Sequence, residues 1–144
     1  MKRSPEIEQL GRELAAAVER GDFDHVEQAT SREPGVVSIG SDPDEYARGY
    51  DAIMSLFRES MPGAPMHIRS RVTEMHAYEH GDVGWMDSTG TFEHDGKTVE
   101  VRSTVVVLRE GGRWRAVQGH ASIGVPNDHM FDPMFRSHGV NKQP

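Results

Sequence analysis

Gly40-Ser-Asp-Pro-Asp-Glu-Tyr-Ala-Arg-Gly-Tyr-Asp-Ala-Ile53 is the stretch whose neighbours organise the chain. A short apolar run, Val36 to Ile39, enters a Gly/Ser/Asp/Pro turn that sets Asp42 at the start of a helix. Asp42-Pro-Asp-Glu45 has the make-up of a capping box, with Pro at the first helical position and Glu at the third. A helix is therefore expected from about Tyr46 or Gly49 to Ser60, burying Tyr46, Tyr50, Ile53, Leu56 and Phe57. Met61-Pro-Gly-Ala-Pro65 ends it.

Upstream, Ser4-Pro5-Glu6 is a helix start, and Ile7, Leu10, Leu14 and Val18 follow at helical spacing until Gly21. Asp22 to Thr30 reads as a short second helix. Downstream, the period changes to two. Met66–Glu79, Val83–Glu93, Lys97–Arg109 and Arg113–Gly124 read as strands joined by tight Gly-containing turns, so they are sequential antiparallel neighbours. Strands this long must coil, which favours a half-barrel wrapped around the helices. The expected fold is α+β: a cone of strongly curved, mainly antiparallel sheet around three N-terminal helices. One domain is expected over residues 1–124, followed by a tail, 125–144. That tail either packs through Met130, Phe131, Met134 and Phe135 or stays loose.

Composition narrows the function. The chain has 144 residues, a formal net charge of −7 and no cysteine. Acidic charge argues against a nucleic-acid partner and gives no polybasic membrane patch. The lack of cysteine excludes disulfides and thiolate chemistry. No apolar segment resembles a leader or a membrane span, so a cytoplasmic protein is the expectation. His76-Ala-Tyr-Glu-His80 spells an inverted zinc-protease string, but on a strand rather than a helix, so no metal and no cofactor are expected.

Helix–helix–strand–helix followed by a four-strand meander resembles the nuclear-transport-factor-2-like superfamily. Gly40-Ser-Asp-Pro43, Gly49-Tyr-Asp-Ala-Ile53, Val83-Gly-Trp85, Arg102-Ser-Thr104, Trp114 and His120-Ala-Ser122 resemble its SnoaL-like, ketosteroid-isomerase-like branch, over residues 4 to 124. The resemblance implies a conical apolar pocket, a general-base Asp at Asp42 and pairing into homodimers through the convex sheet face. Two elements of the isomerase pattern are absent. Ala15, Ala16 and Ala17 stand in the helix that carries the family's oxyanion-hole Tyr, and Thr104 stands where its protonated Asp lies.

The candidate catalytic residues are Asp42 and His120. Asp42 in an apolar cone could abstract a proton beside a carbonyl, but it also reads as a helix cap. His120 shares a strand face with Trp114, Ala116, Gln118 and Ser122, and alternation alone leaves open which face is inward. Asp87 and Arg102 are expected to pair; such a pair resembles the buried, water-activating Asp–Arg arrangement of the superfamily's epoxide hydrolases, and the other reading is a structural or interface salt bridge. Tyr46, Phe57, Trp85, Asp87, Arg102, Thr104, Trp114 and Ser122 are the candidate ligand-binding residues. The expected function is a small cofactor-independent enzyme of the polyketide-cyclase or isomerase type acting on an apolar carbonyl compound. The alternative is a non-catalytic module that binds a small molecule. A hollow interior separates these from a collapsed one.

Overall fold

Ser4 is where the chain becomes regular. Its hydroxyl accepts the Ile7 N–H at 3.5 Å, Pro5 takes the first helical position, and α1 runs over Pro5–Arg20. Gly21 closes it in the left-handed conformation, and α2 covers Phe23–Ala29. The computed structural model describes residues 1–64 and 67–133.

Among the described residues the sheet has seven strands: β1 (Lys2–Arg3), β2 (Val37–Ile39), β3 (Tyr46–Arg48), β4 (Arg69–His80), β5 (Val83–His94), β6 (Lys97–Glu110) and β7 (Arg113–Ile123). Their order is β1-β4-β5-β6-β7-β2-β3. All pairings are antiparallel except that of β2 with β7. The β5–β6 and β6–β7 hairpins have two-residue loops with positive φ at both positions: Asp95 and Gly96 at 49° and 71°, Gly111 and Gly112 at 55° and 79°. That twist matches the strands and fixes the register of the meander.

Helix α1 lies on β4 and β5, α2 on α1 and β7, and α3 (Tyr50–Ser60) on the β2–β3 hairpin. The core has two parts. Ile7, Met75, Ala77, Met86, Val107 and Trp114 fill the closed end beneath α1. Ala17, Val26, Val36, Ala47, Ile53, Met54 and Met61 join the three helices to the hairpin. This is the expected α+β cone.

Three local expectations need correction. Residues 42–45 form a turn, and the helix starts only at Tyr50. One half of a capping-box exchange is nevertheless made, beside an Asx turn. Asp42 Oδ1 accepts the Asp44 N–H at 2.9 Å, and Glu45 Oε2 accepts the Asp42 N–H at 3.1 Å. These bonds close the tip of a β-hairpin, because Tyr46–Arg48 finds ladder partners on Val37–Ile39. Tyr46 is consequently a strand residue, 51% exposed, and not part of a buried helical face. The first strand of the meander starts at Arg69, and Met66 lies outside the described residues. In the tail, Met130 and Phe131 are exposed, while Met134 and Phe135 also lie outside the described residues.

Candidate functional site

Between the open end of the sheet and the helices lies a cavity of about 280 Å3. Leu14, Val18, Leu56 and Phe57 form its helical wall, and Val72, Met75, Met86 and Val105 its sheet wall. Strand alternation explains the hollow. The inner row of β5 descends from Met86 through Ser88 to Gly90, opposite Val105, Ser103 and Val101 on β6. Small residues where the sheet faces the helices leave space. Ser88 and Ser103 meet across the strands with their hydroxyl oxygens 2.7 Å apart, giving the apolar wall one polar spot.

At the hairpin side, the lining includes Ser38, Gly40, Ser41 and Glu45. Glu45 is the lining's carboxylate, half-buried and folded back over Gly40. A Cβ on residue 40 would collide with the Glu45 side chain, so glycine is what lets that carboxylate lie against the turn.

The structure scatters the expected site residues. Phe57 lies in the cavity wall. His120 borders the cavity, but its flanking residues Gly119 and Ala121 occupy the inward positions and its own ring is on the exposed side. Asp42 is exposed at the hairpin tip and absent from the lining. Tyr46 is outside, with its hydroxyl bonded to Arg48 at 2.9 Å. Trp85 lies on the convex face, stacked on Tyr78 at 6.2 Å between ring centroids. Asp87, Arg102, Thr104 and Ser122 share that face, since Asp87 pairs with Thr104 and Arg102 with Ser122. The expected Asp87–Arg102 pair is not formed: register sets Thr104 opposite Asp87 and Thr89 opposite Arg102, and both charged side chains are exposed.

Trp114 and His120, expected on one face, are on opposite faces. The register of β7 shifts at a bulge: Val106 pairs with Gln118 and Val107 with Ala116, leaving Val117 unmatched. Upstream of it Trp114 points into the closed end, 5% exposed, with the Arg109 guanidinium 4.1 Å over its ring. Trp114 also lines a second, polar cleft of about 370 Å3 with Glu6, Gln9, His25 and Arg113. There its Nε1 and the His25 Nε2 are buried without a hydrogen-bond partner among the described residues.

Among the described residues, three groups with displaced pKa values lie outside the cavity. The Ser4 hydroxyl and then Lys2 hold the Glu79 carboxyl below the usual range. Arg20 and the His25 N–H do the same for Asp22. Burial pushes the Tyr50 phenol up. Among the described residues no group of three or more His, Asp or Glu could hold a metal, and His76 and His80 sit on β4.

The family model of the SnoaL-like domain matches residues 7–126. The chain belongs to the SnoaL-like domain family. No curated protein matches the sequence. Solved structures of the same fold are numerous. An NTF2-like protein of unknown function from Pseudomonas putida KT2440 is 17% identical, with a TM-score of 0.73 over 85% of this chain and 87% of that one. An NTF2-like protein from Streptomyces avermitilis, provisionally described as a dehydratase, is 19% identical, with a TM-score of 0.73 over 84% and 95%. An uncharacterised cystatin-like-fold protein from Caulobacter vibrioides is 17% identical, with a TM-score of 0.69 over 92% and 96%. At these identities the likeness is one of fold. No helix among the described residues is long and apolar enough to cross a membrane.

The sequence reading missed Glu45 and the Ser88–Ser103 pair. Glu45 was absorbed into a helix cap. The serines carried a usable signal, since both alternate in step with buried apolar residues, as Met86 does with Ser88.

Proposed function

We propose that this SnoaL-like domain binds a small, largely apolar molecule in its conical cavity. The observation that carries the reading is the hollow itself: about 280 Å3 walled mainly by Leu, Val, Met and Phe side chains, near the lower end of the roughly 300–1,000 Å3 typical of ligand sites. A packed core of this size holds few voids larger than a water molecule. A volume of this order suits a compact mono- or bicyclic skeleton, and the Ser88–Ser103 hydroxyls offer a polar contact on the sheet wall.

A second reading is cofactor-independent proton transfer on an apolar carbonyl compound, as in polyketide cyclases and isomerases. Glu45 favours it, being a carboxylate at the edge of an apolar space where a base is useful. Asp42 and His120 have weaker claims in this reading, because their side chains are exposed outside the cavity. We also propose a homodimer across the convex face that carries Tyr78, Trp85 and Val106.

Calorimetric titration with indane and 2-indanone tests the first reading. Saturable binding that is lost in Ala15→Phe, which fills the cavity from α1, is the expected result. Equal heats from wild type and Ala15→Phe would overturn it. The enzyme reading predicts base-catalysed deuterium exchange at the α-carbons of 2-indanone that disappears in Glu45→Gln.

A further inference from the structure

We infer that the preferred ligand carries a cationic nitrogen, so that the pocket takes a small apolar amine held by Glu45. The inference rests on the binding reading above and adds the chemical class of the ligand.

Glu45 is the one carboxylate in the described lining of a mainly apolar cavity, whose other polar members are neutral hydroxyls and, at the rim, Arg71 and His120. Its position is built. Glu45 Oε2 accepts the Asp42 N–H at 3.1 Å, the Glu45 N–H bonds the Asp42 carbonyl at 3.0 Å, and the Glu45 carbonyl accepts the Gly40 N–H at 2.8 Å. One oxygen is thus held by the turn, and the carboxylate keeps acceptor capacity for a ligand. Its half-buried position beside apolar walls strengthens a charge-assisted bond relative to open water.

The charge around the mouth agrees. Asp42 and Asp44 sit on the same turn, both exposed, and the whole chain carries −7. Such a field steers cations toward the opening and repels anionic ligands. Arg71 borders the opposite side, but it pairs with Thr91 in the outward-facing row and is exposed, so its guanidinium does not neutralise the interior. The Ser88–Ser103 hydroxyls are polar but uncharged and do not favour an anion over a cation.

The test compares three ligands on one skeleton: 2-aminoindane, protonated at neutral pH, 2-indanone and indane. The expected result is that the wild-type domain binds the amine about tenfold more tightly than the ketone, as a partly exposed charge-assisted hydrogen bond allows. In Glu45→Gln the amide oxygen still accepts the Asp42 N–H, so the turn is kept and only the charge is lost. There the amine's affinity relative to the ketone should fall to near unity. The variant pair Asp42→Asn and Asp44→Asn, combined, should weaken the amine only at low ionic strength. If the ketone matches or exceeds the amine in wild type, the inference is overturned while the pocket reading stands. If the amine preference survives in Glu45→Gln, Glu45 is not its source and the inference is equally overturned. If none of the three binds, both readings fail together.

Discussion

Ser4 shows how much one small residue can tie together. Its hydroxyl accepts the Ile7 N–H and donates to the Glu79 carboxylate, joining the start of α1 to β4, and it is only 3% exposed. Ser4→Ala should cost about 1–2 kcal/mol, read as a lower urea midpoint with unchanged slope. Glu79 gives the pH counterpart. Its folded pKa lies below the unfolded value near 4.5, and that of Asp22 lies below 3.8. Stability from both is therefore complete above those unfolded values and is lost as pH falls through the lower folded ones. The melting temperature should hold from neutral pH down to that range and then drop, and Glu79→Gln should flatten the drop. Single residues were also where sequence reading was least informative. The residue types at Asp42 and Glu45 suit a helix cap equally well, and the pairing of Tyr46–Arg48 with Val37–Ile39 decides that no helix follows.

Elements decide which way side chains face. A period of two identified the four long strands and their antiparallel order, because their turns and lengths are local properties. It did not identify the bulge at Val117, since a skipped ladder position leaves no mark in a run such as Trp114 to Ser122. That one residue turns Trp114 into the core and His120 out of it, and so divides the expected site. The short β1 and β3 strands were also unreadable, being two and three residues long: β1 is defined only by its distant partner β4, and β3 only by the short hairpin it closes with β2. Close approach between strands gives a test at this scale. A Cβ at Gly90 would collide with the Arg71 carbonyl of the neighbouring backbone, whereas one at Gly119 would meet only Ser38 Oγ at 3.6 Å. Gly90→Ala should therefore destabilise by about 2 kcal/mol or more through strand displacement. Gly119→Ala should stay within about 1 kcal/mol. Denaturant unfolding of the two variants in parallel checks the order.

At the scale of the molecule, a coiled meander wraps α1 and leaves a hollow where the helical and sheet walls diverge. The wrapping followed from strand length and helix spacing, because curvature is forced once strands of 12 to 14 residues pair along their length, while the hollow was implied by the family resemblance. The contents of the hollow were less legible. They depend on which small residues, Ser88, Gly90, Ser103 and Gly119, fall on the inner side, and that needs the register. Methyl NMR of the methionines reads the interior directly. Met75 and Met86 line the cavity, while Met54 and Met61 belong to the separate helical part of the core. With 2-aminoindane added, the methyl signals of Met75 and Met86 should shift saturably with a common dissociation constant while those of Met54 and Met61 stay in place. Unmoved Met75 and Met86 signals at every ligand concentration would contradict a ligand-accepting cone.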